Sequence, residues 1–170
     1  AHGLLVYLDG ARLAMALTAP GNDLALTDLP QLTDAFYLGG TKCGLLFGEA
    51  LVLCNDALKE DFRFLIKQRG GLMAKSRLMG VQFTALLEDD LFFRLGAHAN
   101  RLAARLAEGI KKAGYTFAAE PATNLIFPVF PDPLIAELRK GVMFEGWKSY
   151  GDGTSAIRLV PSWGTTDDEV

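Results

Sequence analysis

The stretch "LLVYLDGARLAMAL", residues 4–17, restricts the possible folds more than any other part of the chain. Its continuous apolar run at 4–8 suits a strand buried on both faces of a parallel sheet. Asp9 and Gly10 follow, and a helical pattern over 10–17 runs on until Ala19-Pro20-Gly21 marks a turn. A strand feeding a helix in this way belongs to an α/β architecture, where ligands collect beyond the carboxyl ends of the strands. Asp9 and Arg12 occupy that position in the pattern.

The pattern continues with strand candidates at 34–38 (DAFYL) and 45–54 (LLFGEALVLC), separated by the glycine-rich "GGTKCG". Residues 56–69 have Asp56 as a candidate N-cap and helical spacing at Leu58, Phe62, Leu65 and Ile66, closed by Gly70-Gly71. A further helix is predicted over 74–91, apolar nearly all round and therefore buried. From 92 to 113 the spacing is amphipathic. Leu95, Ala99, Leu102, Leu106 and Ile110 form the apolar stripe, with Arg101, Arg105, Glu108, Lys111 and Lys112 largely off it, and Gly114 closes it.

After Gly114 the elements shorten. Strands are expected at 115–119 and 124–130, a helix at 133–140, strands at 142–148 and 156–160, and a last helix opening at Thr165 or Thr166. That ββαββα order predicts a small α+β unit, with the boundary in the low nineties: residues 1–92 as one domain and 93–170 as the other. The absence of an initiator methionine, and a final helix announced but cut short, lead to the expectation that the chain is a piece of a longer protein.

A net charge of −3 in 170 residues gives no electrostatic reason to expect nucleic acid or an anionic membrane as partner. No apolar run is long enough to span a bilayer, and no secretory leader pattern opens the chain. Cys43 and Cys54 are expected as reduced thiols of a cytoplasmic protein. No metal-ligand spacing occurs.

Lys42 stands out among the charged residues because its neighbours (Gly39, Gly40, Thr41, Cys43, Gly44) are small or apolar. A partly desolvated lysine has a lowered pKa, and its neutral amine attacks an aldehyde. A carboxylate at a neighbouring strand tip completes a known pairing: lysine holds pyridoxal phosphate as a Schiff base, and the carboxylate keeps the pyridine nitrogen protonated. Plainer readings stand beside this one. Asp9 can cap the helix that follows, Lys42 can be a solvated loop lysine, Arg12 an exposed helix residue, and Arg158 an outward-facing strand residue. His98 reads as structural, and Cys43 as a small packing residue.

"LDGARLAMAL", "LGGTKCG", "KQRGGLMAKSRLMG", "HANRLAARLA" and "AIRLVPSWGTT" together resemble the threonine aldolase and β-eliminating lyase branch of the fold-type I pyridoxal-phosphate enzymes. The resemblance implies part of a large α/β domain, with a mainly parallel sheet and helices, followed by a small α+β domain. It implies Lys42 as the Schiff-base lysine and Asp9 as partner of the pyridine nitrogen. Thr41, Lys75 and Arg77 become cofactor-phosphate candidates, and Arg12 and Arg158 holders of the substrate carboxylate. It also implies pyridoxal 5′-phosphate as cofactor, an amino-acid substrate, and a homodimer or homotetramer. The expected reaction is retro-aldol cleavage of L-threonine or related β-hydroxy-α-amino acids to glycine and an aldehyde. β-Elimination or transamination on the same scaffold, or a catalytically incomplete fragment acting as a dimerisation or binding module, are the alternatives.

Overall fold

The computed structural model describes residues 2–170, which fall into two compact units. One takes in residues up to Leu17 together with Gly21–Gly96, and the other comprises Thr18–Pro20 and Ala97–Val170.

The first unit is built on a three-stranded sheet, β1 (Tyr7–Leu8), β2 (Ala35–Gly39) and β3 (Glu49–Leu53), in the order β1-β2-β3. β1 and β2 are parallel, with Tyr7 opposite Ala35 and Leu8 opposite Phe36. β2 and β3 are antiparallel, because residues 40–48 are too few for the crossover that parallel strands require. Helix α1 (Leu13–Leu17) packs against β2, and the short helix α2 (Leu29–Leu32) precedes β2 in the chain. The core takes Leu13, Ala14, Met15, Leu29, Ala35, Phe36, Leu38, Cys43, Leu45 and Phe92 out of water.

Several sequence expectations need correction here. The apolar run at 4–8 is not buried on both faces: only Tyr7 and Leu8 are strand, and Leu4, Leu5, Val6 and Tyr7 are exposed. β1 lies at the edge of this sheet, and among the described residues no further strand pairs with its outer side. The helix expected at 10–17 starts only at Leu13. The strand expected at 45–54 is confined to Glu49–Leu53, because 40–46 are folded into a tight loop by bonds from the Cys43 and Leu45 amides to the Gly40 carbonyl.

The helix expected at 56–69 is split. Asn55, not Asp56, caps a short 3-10 turn at Asp56–Leu58, and α3 (Phe62–Gln68) begins after Asp61, whose φ of 53° interrupts the helix. The predicted helix 74–91 becomes α4 (Arg77–Leu87), and it is mostly exposed, with Leu86 its buried residue. Asp89 and Asp90 take left-handed conformations and end it, a state that aspartate tolerates better than branched residues do.

Where β1 gives way to α1, the backbones of the two strand ends lie unusually close. The Gly39 amide donates to the Gly10 carbonyl at 2.9 Å. A Cβ on Gly10 would stand 1.7 Å from the Tyr37 carbonyl oxygen, and one on Gly39 would stand 2.6 Å from that of Ala11. Glycine is required because only hydrogen fits. Gly10→Ala is therefore expected to destabilise the protein by at least about 3 kcal/mol, the upper part of the usual overpacking range. Denaturant unfolding of the full-length protein would measure it, and a loss below about 1 kcal/mol would contradict this packing.

Helix α5 (Leu91–Lys112) starts in the first unit and continues in the second. Of the expected stripe, Ala99 and Leu102 are fully buried and Leu95, Leu106 and Ile110 half-buried; Ala103 and Ala107 are buried beside them, while Arg101, Arg105, Glu108, Lys111 and Lys112 face water. The second unit adds an antiparallel sheet in the order β4-β5-β7-β6, from β4 (Thr116–Phe117), β5 (Pro128–Pro131), β6 (Glu145–Ser149) and β7 (Thr154–Arg158). Helix α6 (Asp132–Leu138) links β5 to β6. Phe130, Ile135 and Ile157 form one buried cluster, and Ala103, Ala107 and Ile126 another. The edge strand β6 is exposed along its length.

The helix expected at the end does not form. Its start signal does: Glu169 reaches back to accept from the Thr166 amide at 2.7 Å, half of a capping box. Asp167 is held instead by Arg101 and Arg105 at 2.7 and 3.1 Å, which keeps its carboxyl at about 2. Cys43 and Cys54 are both free thiols.

Candidate functional site

Parallel pairing sends β1 and β2 in the same direction, so both carboxyl ends open onto one edge of the sheet. Asp9 follows β1 directly, and the loop that carries Thr41 and Lys42 follows β2. The register that sets Leu8 beside Phe36 brings Asp9 level with Tyr37. Tyr37 Oη donates to Asp9 Oδ1 in a very short contact. The Ala11 amide donates to the same oxygen at 3.0 Å, closing an Asx turn in place of the helix cap. Both bonds fall on Oδ1, and Oδ2 takes no hydrogen bond among the described residues. These two donors, then the nearby charge of Lys42, hold the Asp9 carboxyl below the usual carboxylate range. The phenol of Tyr37 is pushed up to about 12, chiefly by its bond to Asp9.

The Lys42 loop is anchored from inside. Cys43 is fully buried, with its thiol 4.0 Å from the Met15 sulfur, and Leu45 is buried beside it. Glu49 accepts from the Gly40 amide at 3.0 Å. With the loop pinned at these points, Thr41 and Lys42 are turned outward and exposed, so the partly desolvated lysine expected from its flanks is not found within this chain. Burial raises the Cys43 thiol, against the opposing pull of the Ala14 backbone and of the Arg12 and Lys42 charges. A protonated, buried thiol is a packing residue rather than a nucleophile. Arg12, half-buried in the turn just before α1, lies with Lys42 near the Cys43 thiol, on which both charges act.

The remaining candidates lie elsewhere. Lys75 and Arg77 are exposed and border an open, largely apolar groove of about 880 Å³ with Leu46, Phe47, Leu78 and Val81. No ion pair joins them to Asp9 among the described residues. Arg158 lies in the second unit at the end of β7, opposite Glu145 of β6. Its Nη2 donates to Glu145, while its Nε is buried without a hydrogen-bond partner. His98 is engaged structurally, its Nε2 lying 2.7 Å from the Thr165 carbonyl oxygen.

Sequence reasoning missed Tyr37 and Glu49. A signal for Tyr37 was available: "VYLDG" and "AFYLGG", aligned as parallel strands, set Asp9 across from it. Glu49 had none, because its role depends on where the loop amide of Gly40 ends.

A profile of the family described as beta-eliminating lyase matches residues 1–132. The chain is 33% identical over 173 residues to the low specificity L-threonine aldolase of Pseudomonas aeruginosa, a match covering 99% of the chain and 48% of that protein. Its structure is similar to Leishmania major threonine aldolase, with a TM-score of 0.96 and 50% identity over 99% of this chain and 49% of that one. A likeness to Sphingomonas wittichii serine palmitoyltransferase, with a TM-score of 0.66 at 17% identity over 99% of this chain and 45% of that one, bears on the fold alone. The chain spans about half the length of the curated relatives it matches.

Proposed function

This chain belongs to the beta-eliminating lyase family, and from that premise we propose that the protein is a pyridoxal-phosphate-dependent lyase. It cleaves L-threonine or related β-hydroxy-α-amino acids to glycine and an aldehyde. The observation that carries this reading is the pairing of an ionised Asp9, with one carboxylate oxygen still open, and an exposed Lys42 at the ends of two parallel strands. The likeness to two threonine aldolases supports it.

The donor set suits the cofactor. An amine free of ion pairs can bind an aldehyde, and a carboxylate with an unused acceptor can hold a protonated ring nitrogen. When bound, pyridoxal 5′-phosphate supplies an electron sink for the pair left at the substrate α-carbon. Lys42 is the residue we assign to hold the cofactor aldehyde, and Asp9 Oδ2 would accept from the ring nitrogen. Thr41, Lys75 and Arg77 are assigned to the phosphate, and Arg12 and Arg158 to the substrate carboxylate, each judged by its own surroundings. The orphaned Nε of Arg158 supports its part, because a carboxylate can satisfy a buried guanidinium donor.

We further assign residues 1–92 to the cofactor-binding domain and 93–170 to the small domain. The protein is proposed to be a cytoplasmic homodimer or homotetramer; among the described residues no helix is long and apolar enough to cross a membrane. Incubating the full-length protein with cofactor and L-threonine should give glycine and acetaldehyde in equal amounts. A keto acid with ammonia in their place would replace the aldolase reading with β-elimination.

A further inference from the structure

We propose that Tyr37 is a positioning residue for Asp9, its phenol fixing Oδ1 so that Oδ2 is left as the acceptor for the cofactor ring nitrogen. This rests on the reading of Asp9 given above and adds to it a residue that no sequence motif singled out.

Three observations carry it. First, the parallel register places Tyr37 level with Asp9 on the neighbouring strand, so the contact comes from sheet geometry and not from a mobile loop. Second, the two donors to Asp9 come from different elements, Ala11 from its own turn and Tyr37 from β2, yet both select the same oxygen. A carboxylate bound on one oxygen from two directions cannot rotate freely about its terminal torsion, which is otherwise broad. Third, the Tyr37 ring is itself steadied. It stacks on Tyr7 with centroids 6.1 Å apart and planes 27° apart, and its backbone is paired within β2 between β1 and β3.

The electrostatics agree in sign. The groups facing Tyr37 are Asp9, Glu49 and Tyr7, all of which resist formation of a phenolate, and Tyr37 is pushed up to about 12. It therefore remains a donor throughout the pH range in which an enzyme works, and is unsuited to act as a base. Asp9 is shifted down by the same bond and remains an acceptor. The unfolded-state reference for Tyr37 is near 10, so the bond is fully present below that pH and is lost only as pH rises toward about 12.

The test has one arm that needs no cofactor and one that does. In apo full-length protein carrying [13Cζ]-tyrosine, the signal missing from Tyr37→Phe identifies Tyr37. It should titrate near 12 in the wild type and fall toward about 10, the ordinary phenol value, in Asp9→Asn. With cofactor bound, Tyr37→Phe should lower kcat roughly tenfold, the loss typical of one hydrogen bond to a charged acceptor. The KM for the amino acid should be little changed, and the cofactor should dissociate more readily. A side chain that only filled space would leave the Tyr37 titration and the split between kcat and KM unmoved. Ordinary titration of Tyr37 in the wild type overturns the proposal. So does full kcat in Tyr37→Phe when Asp9→Asn has lost it. Unchanged turnover in Asp9→Asn removes Asp9 from the cofactor site, and overturns the proposal with it, whatever the titration shows.

Discussion

Lys42→Ala in the full-length protein is expected to reduce turnover by at least about a thousandfold, because the amine assigned to bind the cofactor aldehyde is lost. Borohydride reduction in the presence of pyridoxal phosphate should then leave no cofactor fixed to the chain, whereas the wild type should retain one equivalent on Lys42. The variant should fold normally. Lys42 is exposed, and its loop is held by the buried Cys43 and Leu45 and by the Gly40 carbonyl, none of which needs the ammonium. Lys42→Arg separates charge from chemistry: it keeps a cation near Asp9, but a guanidinium does not deprotonate in proteins and is a poor nucleophile. The same loss is expected there. Cofactor trapped at Lys42→Ala in the wild-type amount would remove Lys42 from its assigned role.

Asp9→Asn is the second substitution of large effect, with turnover expected to fall by roughly a hundredfold or more. The amide oxygen of asparagine can still accept from the Ala11 amide and the Tyr37 phenol, so the Asx turn and the strand register are preserved. What disappears is the negative charge, and with it the stabilisation of a protonated ring nitrogen. The sign is fixed by the downward shift of Asp9. The wild-type carboxyl stays charged down through the ordinary range for aspartate, so acid should impair the enzyme through Asp9 only below that range, whereas the asparagine variant is impaired at every pH. Turnover equal to wild type would reduce Asp9 to a turn-forming residue. The two variants are also diagnostic together. If Lys42→Ala loses trapping while Asp9→Asn keeps full activity, the lysine binds cofactor but the strand-end carboxylate serves the fold alone.

How far these residues could be read from sequence depended on which interactions their positions obey. The α5 stripe was legible because helical spacing and burial coincide along one continuous element, and Ala99 and Leu102 are fully buried as expected. Asp9 and Lys42 were legible because strand ends and glycine-rich loops are local signals. The run at 4–8 misled because apolarity reports a preference for burial, while the sheet order decides whether a partner is present. The segment 74–91 misled in the same way: its apolar residues Leu78 and Val81 are exposed within this chain, and its end was set by Asp89 and Asp90 adopting a left-handed backbone that no periodicity announces. The final helix misled because a cap signal describes a start and carries no information about propagation.

By itself, the sequence determined the alternation of strands and helices, the glycines at the two strand ends and the presence of an aspartate and a lysine beside them, because each of these is encoded within a few consecutive residues. Only the tertiary structure decided that β3 turns back against β2, that Cys43 points in so that Lys42 points out, and that Tyr37 meets Asp9 from the adjoining strand. Those outcomes depend on register and on contacts between residues 28 positions apart in the chain, and such contacts form only when the whole unit packs.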